Sequence, residues 1–384
     1  MKFNTFKVST NPPFPVRAAG FAQQTEPVDT VRDPLFARIF VFEQNKERFV
    51  DIAIDSLCVP YVLVQRMRTH LEEVWNCKVY LIMGGTHTHF APDMRLQQVQ
   101  DYIYERLCDT LDHAELKEAE MTCSYSYEYF DQVGKSRISH WTTDQIFAHV
   151  LSFYDKGKRI ASFVIHNCHP TSLNGDTPFF TSEYPGFAVR ELEKRYPDEF
   201  FSFLQSAPGD ISTRFTRREQ TPQQMEEFGM KMADEFDHLL SQPNTQYPLT
   251  LSYREITVPL SHELKEASDF VIPDYFSERE RVTFQYGLER SLQNLKQKDN
   301  LKKETVFTGL QVGPFRMVFS EHELFSEYIK ACVPGKGILV CYSQGYSHYV
   351  AGPSFDGLTY ESLQDTLDQP TRLKFMETIH ELSL

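Results

Sequence analysis

The sequence predicts a mixed α/β fold, with central β-sheets flanked by helices in an αββα-like sandwich and a metal site at the strand ends. Three observations predict it. Strand-like apolar runs alternate with stretches of helical spacing along most of the chain. Two of those runs end in histidine, one reaching His87 and His89 and the other His166 and His169. The 384 residues, 41% hydrophobic and 14% aromatic, suffice for a large core.

Residues 1–34 are rich in proline, glycine and polar side chains and read as extended loop. Leu35 to Glu43 and Arg48 to Asp55 read as strands joined by a turn at Asn45-Lys46. Val59 to Val74 has helical spacing at Val62, Val64, Met67, Leu71 and Val74. A strand from Val79 to Met83 then runs into Gly84-Gly85-Thr86-His87-Thr88-His89. Leu96 to Glu118 reads as helix and Thr122 to Val133 as a half-exposed strand. Phe147 to Tyr154 and Arg159 to His166 read as a hairpin across Asp155-Lys156-Gly157-Lys158. Pro185 to Arg195 reads as a short helix and Phe200 to Ser206 as a buried strand.

A single domain over 1–384 is expected, with a charged helical excursion at about 214–305. Thr221-Pro222 caps a helix to Leu240, with proline at the first helical position. Strand Leu249 to Pro259 and a second charged helix, Ser277 to Lys302, follow. These helices carry no catalytic spacing; their charged faces read as solvated, as a lid, or as a homo-oligomer surface. Phe315 to Ser320 reads as strand, Glu323 to Ala331 as helix, Gly337 to Tyr342 as strand and Tyr346 to Tyr349 as loop.

Composition narrows the function classes. With 53 acidic and 39 basic residues the formal net charge is -14, which argues against nucleic-acid binding and against docking on anionic lipid. It leaves room for a lipid-like substrate entering an apolar cleft. Seven cysteines (58, 77, 108, 123, 168, 332 and 341) are scattered, with no Cys-x-x-Cys pair, and read as reduced thiols of a cytosolic protein. The first residues show no apolar signal region, and no apolar run reaches the roughly 18 residues of a membrane span.

The motifs carry the chemistry. In extended chain, residues two apart point the same way, so His87 and His89 can aim into one pocket. Imidazole pairs at a strand end suit zinc, although an edge strand with two solvated histidines fits the same letters. His166 and His169 lie three apart, so they face opposite sides. His169, at the strand exit before Pro170, is the preferred ligand, and His166 reads as a packed histidine. In Gly209-Asp210-Ile211-Ser212, Gly209 permits close backbone approach to a ligand and Asp210 can orient a metal-bound histidine. Glu323 and Tyr349 sit at later strand boundaries on the same expected sheet edge.

Thr-His-Thr-His-x-x-Pro (86–92), His-Pro-Thr-Ser (169–172), Ser-Glu-Tyr-Pro-Gly (182–186), Gly-Asp-Ile-Ser (209–212), Glu-Leu-Phe-Ser-Glu (323–327) and His-Tyr-Val (348–350) occur in that order. Together they resemble the neutral/alkaline non-lysosomal ceramidase family, in its bacterial ceramidase-like branch. Residues 32–38 and 133–137 fit the same pattern, and the likeness runs from about residue 12 to about residue 362. It implies a zinc-dependent amidohydrolase catalytic domain. The implied metal ligands are His87, His169, Glu323 and Tyr349. His89 is implied as a proton-transfer histidine, and Arg137 and Tyr360 as contacts to the substrate or its developing oxyanion. Ser212 matches the serine of the family's Gly-Asp-Val-Ser-Pro segment. Thr213 replaces the proline after that serine, Ser320-Glu321-His322 replaces the residues usual before the glutamate, and Glu183 stands where aspartate is frequent. The immunoglobulin-like C-terminal domain of larger members is not expected here.

The expected reaction is cleavage of an N-acyl amide by metal-activated water. A serine nucleophile at Ser212 is the rival chemistry, for which His89 is the obvious base. Two other readings stand beside the ceramidase-like one: an amidase or esterase for another acylated small molecule, and a non-catalytic metal-binding homologue.

Overall fold

The computed structural model describes every residue except 22, 23, 25, 265–270, 273, 275 and 277, and the side chain of residue 279. The first unit is built from β1 (Lys2–Ser9), β2 (Phe36–Gln44), β3 (Glu47–Ile54), α1 (Tyr61–Trp75), β4 (Val79–Gly85), α2 (Gln97–Leu111) and β5 (Lys117–Glu118). Its sheet has the order β4-β3-β2-β1-β5. Only β3 and β4 run parallel, because α1 crosses between them. β1 lies inside the stretch expected to be loop. The proline-rich composition belongs to residues after it, whereas Lys2–Ser9 carries Phe, Thr and Val and completes eight register pairs with β2.

The spacing in α1 is as expected, but the buried stripe is Leu63, Val64, Met67 and Leu71, while Val62 and Val74 are exposed. Tyr61, also exposed, lines a large cleft. α2 stops at Leu111, short of the expected Glu118, and the chain turns back so that β5 pairs with β1.

The second unit holds β6 (Met121–Tyr129), β7 (Lys135–Ser136), β8 (Phe147–Asp155), β9 (Lys158–His166), α3 (Glu183–Arg195), β10 (Phe200–Gln205), β11 (Ile211–Ser212), α4 (Pro222–Ser241) and β12 (Tyr247–Pro248). Its main sheet has the order β10-β9-β8-β6-β12. The two large sheets meet face to face through an aromatic core, in which Phe40 and Phe163 have ring centroids 4.3 Å apart and Phe42 and Phe153 5.2 Å apart. α1 and α2 cover the outer face of the first sheet, and α3 and α4 that of the second. The layers are helix, sheet, sheet, helix. Apolar burial of this kind contributes roughly 1.5–3 kcal/mol per large side chain.

The remaining elements are β13 (Leu251–Pro259), α5 (Glu278–Lys296), β14 (Glu304–Val312), β15 (Phe315–Phe319), β16 (Glu323–Leu324), β17 (Gly337–Val340), β18 (Tyr349–Val350), α6 (Tyr360–Gln364) and α7 (Gln369–Ser383). A third sheet, β13-β14-β15-β17, adds Leu251, Leu310 and Met317 to the aromatic core and is backed by α7. The segment 214–305 is thus divided. α4 packs its Met225, Phe228, Met232 and Phe236 face into the interior, β13 joins the third sheet, and α5 lines the cleft. Ser277, the expected start of the second charged helix, lies outside the described residues.

Glu323 to Ala331, expected as helix, is instead the short strand β16 and a 3-10 turn over Ser326–Ala331. A tertiary partner decides this: Glu323 and Leu324 pair in parallel with Tyr349 and Val350 of β18. Among the described residues, no helix is long and apolar enough to cross a membrane.

Candidate metal centre

Strand ends from all parts of the chain converge on one point. β4 is the edge strand of the first sheet, and His87 follows it by two residues with φ 66°, a left-handed conformation that is strained for histidine. Opposite, His169 follows β9 and forms an isolated parallel bridge with Ser212. Ser212 in turn pairs with Lys135 across β11 and β7, which sets Arg137 beside the same point. The β16–β18 register places Glu323 directly opposite Tyr349.

The ligand atoms of His87, His89 and His169 all lie within 4.8 Å of one another. Two nitrogens on one zinc ion can be at most about 4.2 Å apart, given bonds of roughly 2.1 Å, so the rings need close by less than about 1 Å to share an ion. Each ring has its Nδ1 occupied by a backbone carbonyl. Nδ1 of His87 donates to Leu57 O at 2.8 Å, that of His89 to His87 O at 3.2 Å, and that of His169 to Pro208 O at 2.7 Å. A carbonyl cannot donate, so these contacts fix the tautomer and leave each Nε2 as the free lone pair.

Glu323 closes the group. It is fully buried, with Oε1 2.7 Å from His169 Nε2 and 3.7 Å from His87 Nε2. Two acceptors face each other there unless a proton or a cation lies between them. His87 Nε2 is buried with no hydrogen-bond partner. That orphaned nitrogen, the fixed tautomers and the carboxylate fit a metal ion whose ligands are oriented from behind by backbone carbonyls. Burial alone would raise the Glu323 carboxyl, but the imidazoles of His87 and His169 outweigh it and hold it well below the usual range.

The other expected residues fall around this point. Arg137 donates to the Tyr349 hydroxyl at 3.4 Å, and its Nε lies 2.7 Å from Glu361 Oε1. The Tyr349 ring lies 6.3 Å from that of His169 and 6.0 Å from that of Tyr360. Ser212 is buried nearby, and its Oγ accepts from Arg214 N at 3.2 Å. No hydrogen bond among the described residues joins it to a histidine. His166 has both ring nitrogens engaged, Nδ1 accepting from Cys168 N and Nε2 donating to Phe130 O, and stands apart from the group.

Two expected roles change. Gly209 approaches backbone rather than a ligand: its N donates to Leu324 O at 2.8 Å, and an added Cβ would lie 2.8 Å from that same oxygen. It thereby seats the strand that carries Glu323. Asp210 does not touch His169; its carboxylate accepts from Ser326 N at 2.6 Å and Ser326 Oγ at 2.9 Å, and burial pushes it up to about 6. The carbonyls of Pro208 and Ile211 do the orienting instead. Glu183, also fully buried, accepts from Ser172 N and Oγ and from Leu173 N, anchoring the turn after His169.

Sequence reasoning missed Tyr342, Tyr346 and Glu361. The Tyr342 ring stacks on His87 at 3.8 Å and 12°, and Tyr346 donates to Glu323 Oε2 at 3.0 Å. Tyr346 precedes Tyr349 by three residues and Glu361 adjoins Tyr360, so each lay next to a residue already singled out. The group opens on a cleft of about 1660 Å³, lined by His89, Arg137, His169, Ser212, Tyr349 and Tyr360 among others.

No protein-family model matches the sequence, and no curated protein matches it significantly. Solved structures do match. The fold is that of the neutral ceramidases. The neutral ceramidase from Pseudomonas aeruginosa superposes with a TM-score of 0.74 at 14% identity, covering 100% of this chain and 74% of that one. A ceramidase complexed with C2 matches with a TM-score of 0.75, also at 14% identity and over the same shares.

Proposed function

We propose that the protein is a zinc-dependent hydrolase of the neutral ceramidase type that cleaves an N-acyl amide of a lipid-like substrate. The observation that carries this reading is the orphaned Nε2 of His87, facing His169, His89 and the Glu323 carboxylate with every imidazole tautomer fixed from behind. The residues that would hold the ion are His87, His169, Glu323 and Tyr349. Bound there, zinc supplies a Lewis acid that polarises a carbonyl oxygen and acidifies water.

The chain's own groups supply the rest. Arg137, its guanidinium held by Glu361, and the Tyr360 hydroxyl present donors to the negative charge that develops on the carbonyl oxygen. Tyr360 lines the same wall. His89 is the proton carrier. Unlike His87 it lines the cleft, and its Nε2 is left to take up a proton and return it to the leaving nitrogen. Burial and the two neighbouring imidazoles push its pKa well below the ordinary histidine value, so it accepts a proton only as one becomes available during reaction. Ser212, its Oγ accepting from Arg214 N, acts as a packing and positioning residue rather than a nucleophile.

A cytoplasmic setting belongs to the same reading and rests on the free state of all seven cysteines. The deciding experiment combines metal analysis of the purified protein with a substrate panel of ceramides, short N-acyl amines and simple esters. Stoichiometric zinc that is lost in His87→Ala and His169→Ala, with amide cleavage above ester cleavage, is the expected result. Zinc retained in both variants would overturn the assignment.

A further inference from the structure

Resting on the metal-centre reading above, we infer that Tyr346 is a positioning residue, which turns the Glu323 carboxylate so that Oε1 faces the imidazoles. A buried carboxylate on a two-residue strand has a free rotation about its last bond. Tyr346 removes it. Its hydroxyl donates to Glu323 Oε2 at 3.0 Å, while Oε1 lies 2.7 Å from His169 Nε2. Tyr346 is the hydrogen-bond donor to Oε2 among the described residues, so its loss leaves that oxygen to compete for the histidine side.

Tyr346 is itself held. Its ring lies 6.2 Å from Tyr342 at 19°, and Tyr342 stacks on His87, giving a continuous column from the cleft wall to the centre. The loop carrying both tyrosines is stitched to the free edge of β4. Gly85 N donates to Tyr342 O, Gln344 N donates to Met83 O, and the Gln344 side chain both donates to Leu81 O and accepts from Met83 N. Tyr342 at φ 55°, Gln344 at φ 70° and Gly345 at φ 150° make the turn tight, and a Cβ at Gly345 would come within 2.9 Å of Glu321 Oε2. The hydroxyl therefore reaches Glu323 from a fixed platform that also fixes His87.

Groups that orient a metal ligand from behind typically change metal affinity 10–100-fold, roughly, when removed. The test is Tyr346→Phe, which keeps the ring column and deletes the hydroxyl. Zinc affinity is measured by competition with a chromophoric chelator, and the Co²⁺-loaded protein by its visible absorption. The expected result is zinc binding weakened roughly 10–100-fold with a shifted Co²⁺ spectrum and, for the metal-free protein, an unchanged urea midpoint. Unchanged affinity and an unchanged spectrum overturn the inference. As a second arm, Tyr346→Phe is added to Glu323→Gln. If Tyr346 acts through Glu323, the second change weakens zinc by less than about twofold, whereas a full further loss overturns the inference. Wild-type protein that takes up no zinc would sink the metal centre itself; zinc lost in His87→Ala but unaffected by Tyr346→Phe sinks this inference alone.

Discussion

Nε2 of His169 lies 2.7 Å from Oε1 of Glu323, although Nδ1 of the same ring already donates to the Pro208 carbonyl. A neutral ring cannot donate at both nitrogens, so the pair is built for a positive charge between or upon them. Glu323→Gln removes the anion and replaces half of it with an amide donor. Zinc content after dialysis, read by plasma mass spectrometry, is expected to fall by roughly tenfold or more.

Loading the centre should also stabilise the fold. The proposed ligands lie just after β4, just after β9, on β16 and on β18, which are far apart in sequence, so the unfolded chain offers no comparable site. At free zinc roughly 1,000 times the dissociation constant, the folded state gains about 4 kcal/mol. Differential scanning calorimetry with and without chelator is expected to show a clear drop in melting temperature on metal removal.

His89 and Ser212 separate the two chemistries. His89→Ala is expected to keep zinc and to lose roughly 10²–10⁴-fold in kcat, the range of a general acid or base. Ser212→Ala is expected to keep both zinc and most of the activity. Burst kinetics with an activated ester, abolished in Ser212→Ala, would instead reveal an acyl-serine.

Arg137→Ala is expected to cost about 10²–10³-fold in kcat, as removal of an oxyanion donor does. Glu361→Gln leaves the guanidinium in place but loosens the 2.7 Å contact to its Nε. A smaller kcat loss with little change in KM, measured on the same amide, is the expected signature.

Asp51 gives a pH dependence away from the centre. It sits on β3 facing the aromatic core, its Oδ1 has no hydrogen-bond partner, and burial pushes its pKa up to about 8. Below that value the folded carboxyl holds a proton that the unfolded chain, with a pKa of roughly 3.9, gives up. The folded state then binds more protons, so stability falls as pH rises from about 4 and levels off above the folded value. Between pH 6.5 and 8 the loss is about 2 kcal/mol. The buried histidines His149, His166 and His322, lowered to about 3, 4 and 4, stay neutral in the folded state but titrate at about 6.5 in the unfolded chain. They therefore raise stability with pH at the lower end of that window and oppose the Asp51 slope. The stability of the wild type relative to Asp51→Asn, from urea midpoints across the same window, should fall as pH rises; a difference that does not change with pH would remove Asp51 as the cause.

The strands with strong apolar runs were legible, and so was the convergence of His87 with His169, because a strand end followed by histidine is a local pattern. Elements that depend on a remote partner were not. β1 exists because β2 offers it an edge, and β16 is strand rather than helix because β18 lies beside it. β14, a central strand of the third sheet, was hidden behind the charged run that ends α5, and α7 carries no motif at all. Within the centre, side-chain donors could be guessed from residue type, but the carbonyls of Leu57, Pro208 and Ile211 could not, since every residue has one.

The Gln344 amide fills the outer edge of β4 like one more rung of the sheet, from a position 261 residues downstream of Met83. Until that loop arrives, β4 shows open backbone donors and acceptors beside an apolar strand, the kind of edge that recruits other chains. A nascent or truncated polypeptide ending before Gln344 is therefore exposed to self-association, and the residues that finish the reactive pocket are the same ones that shield the half-made protein from its neighbours.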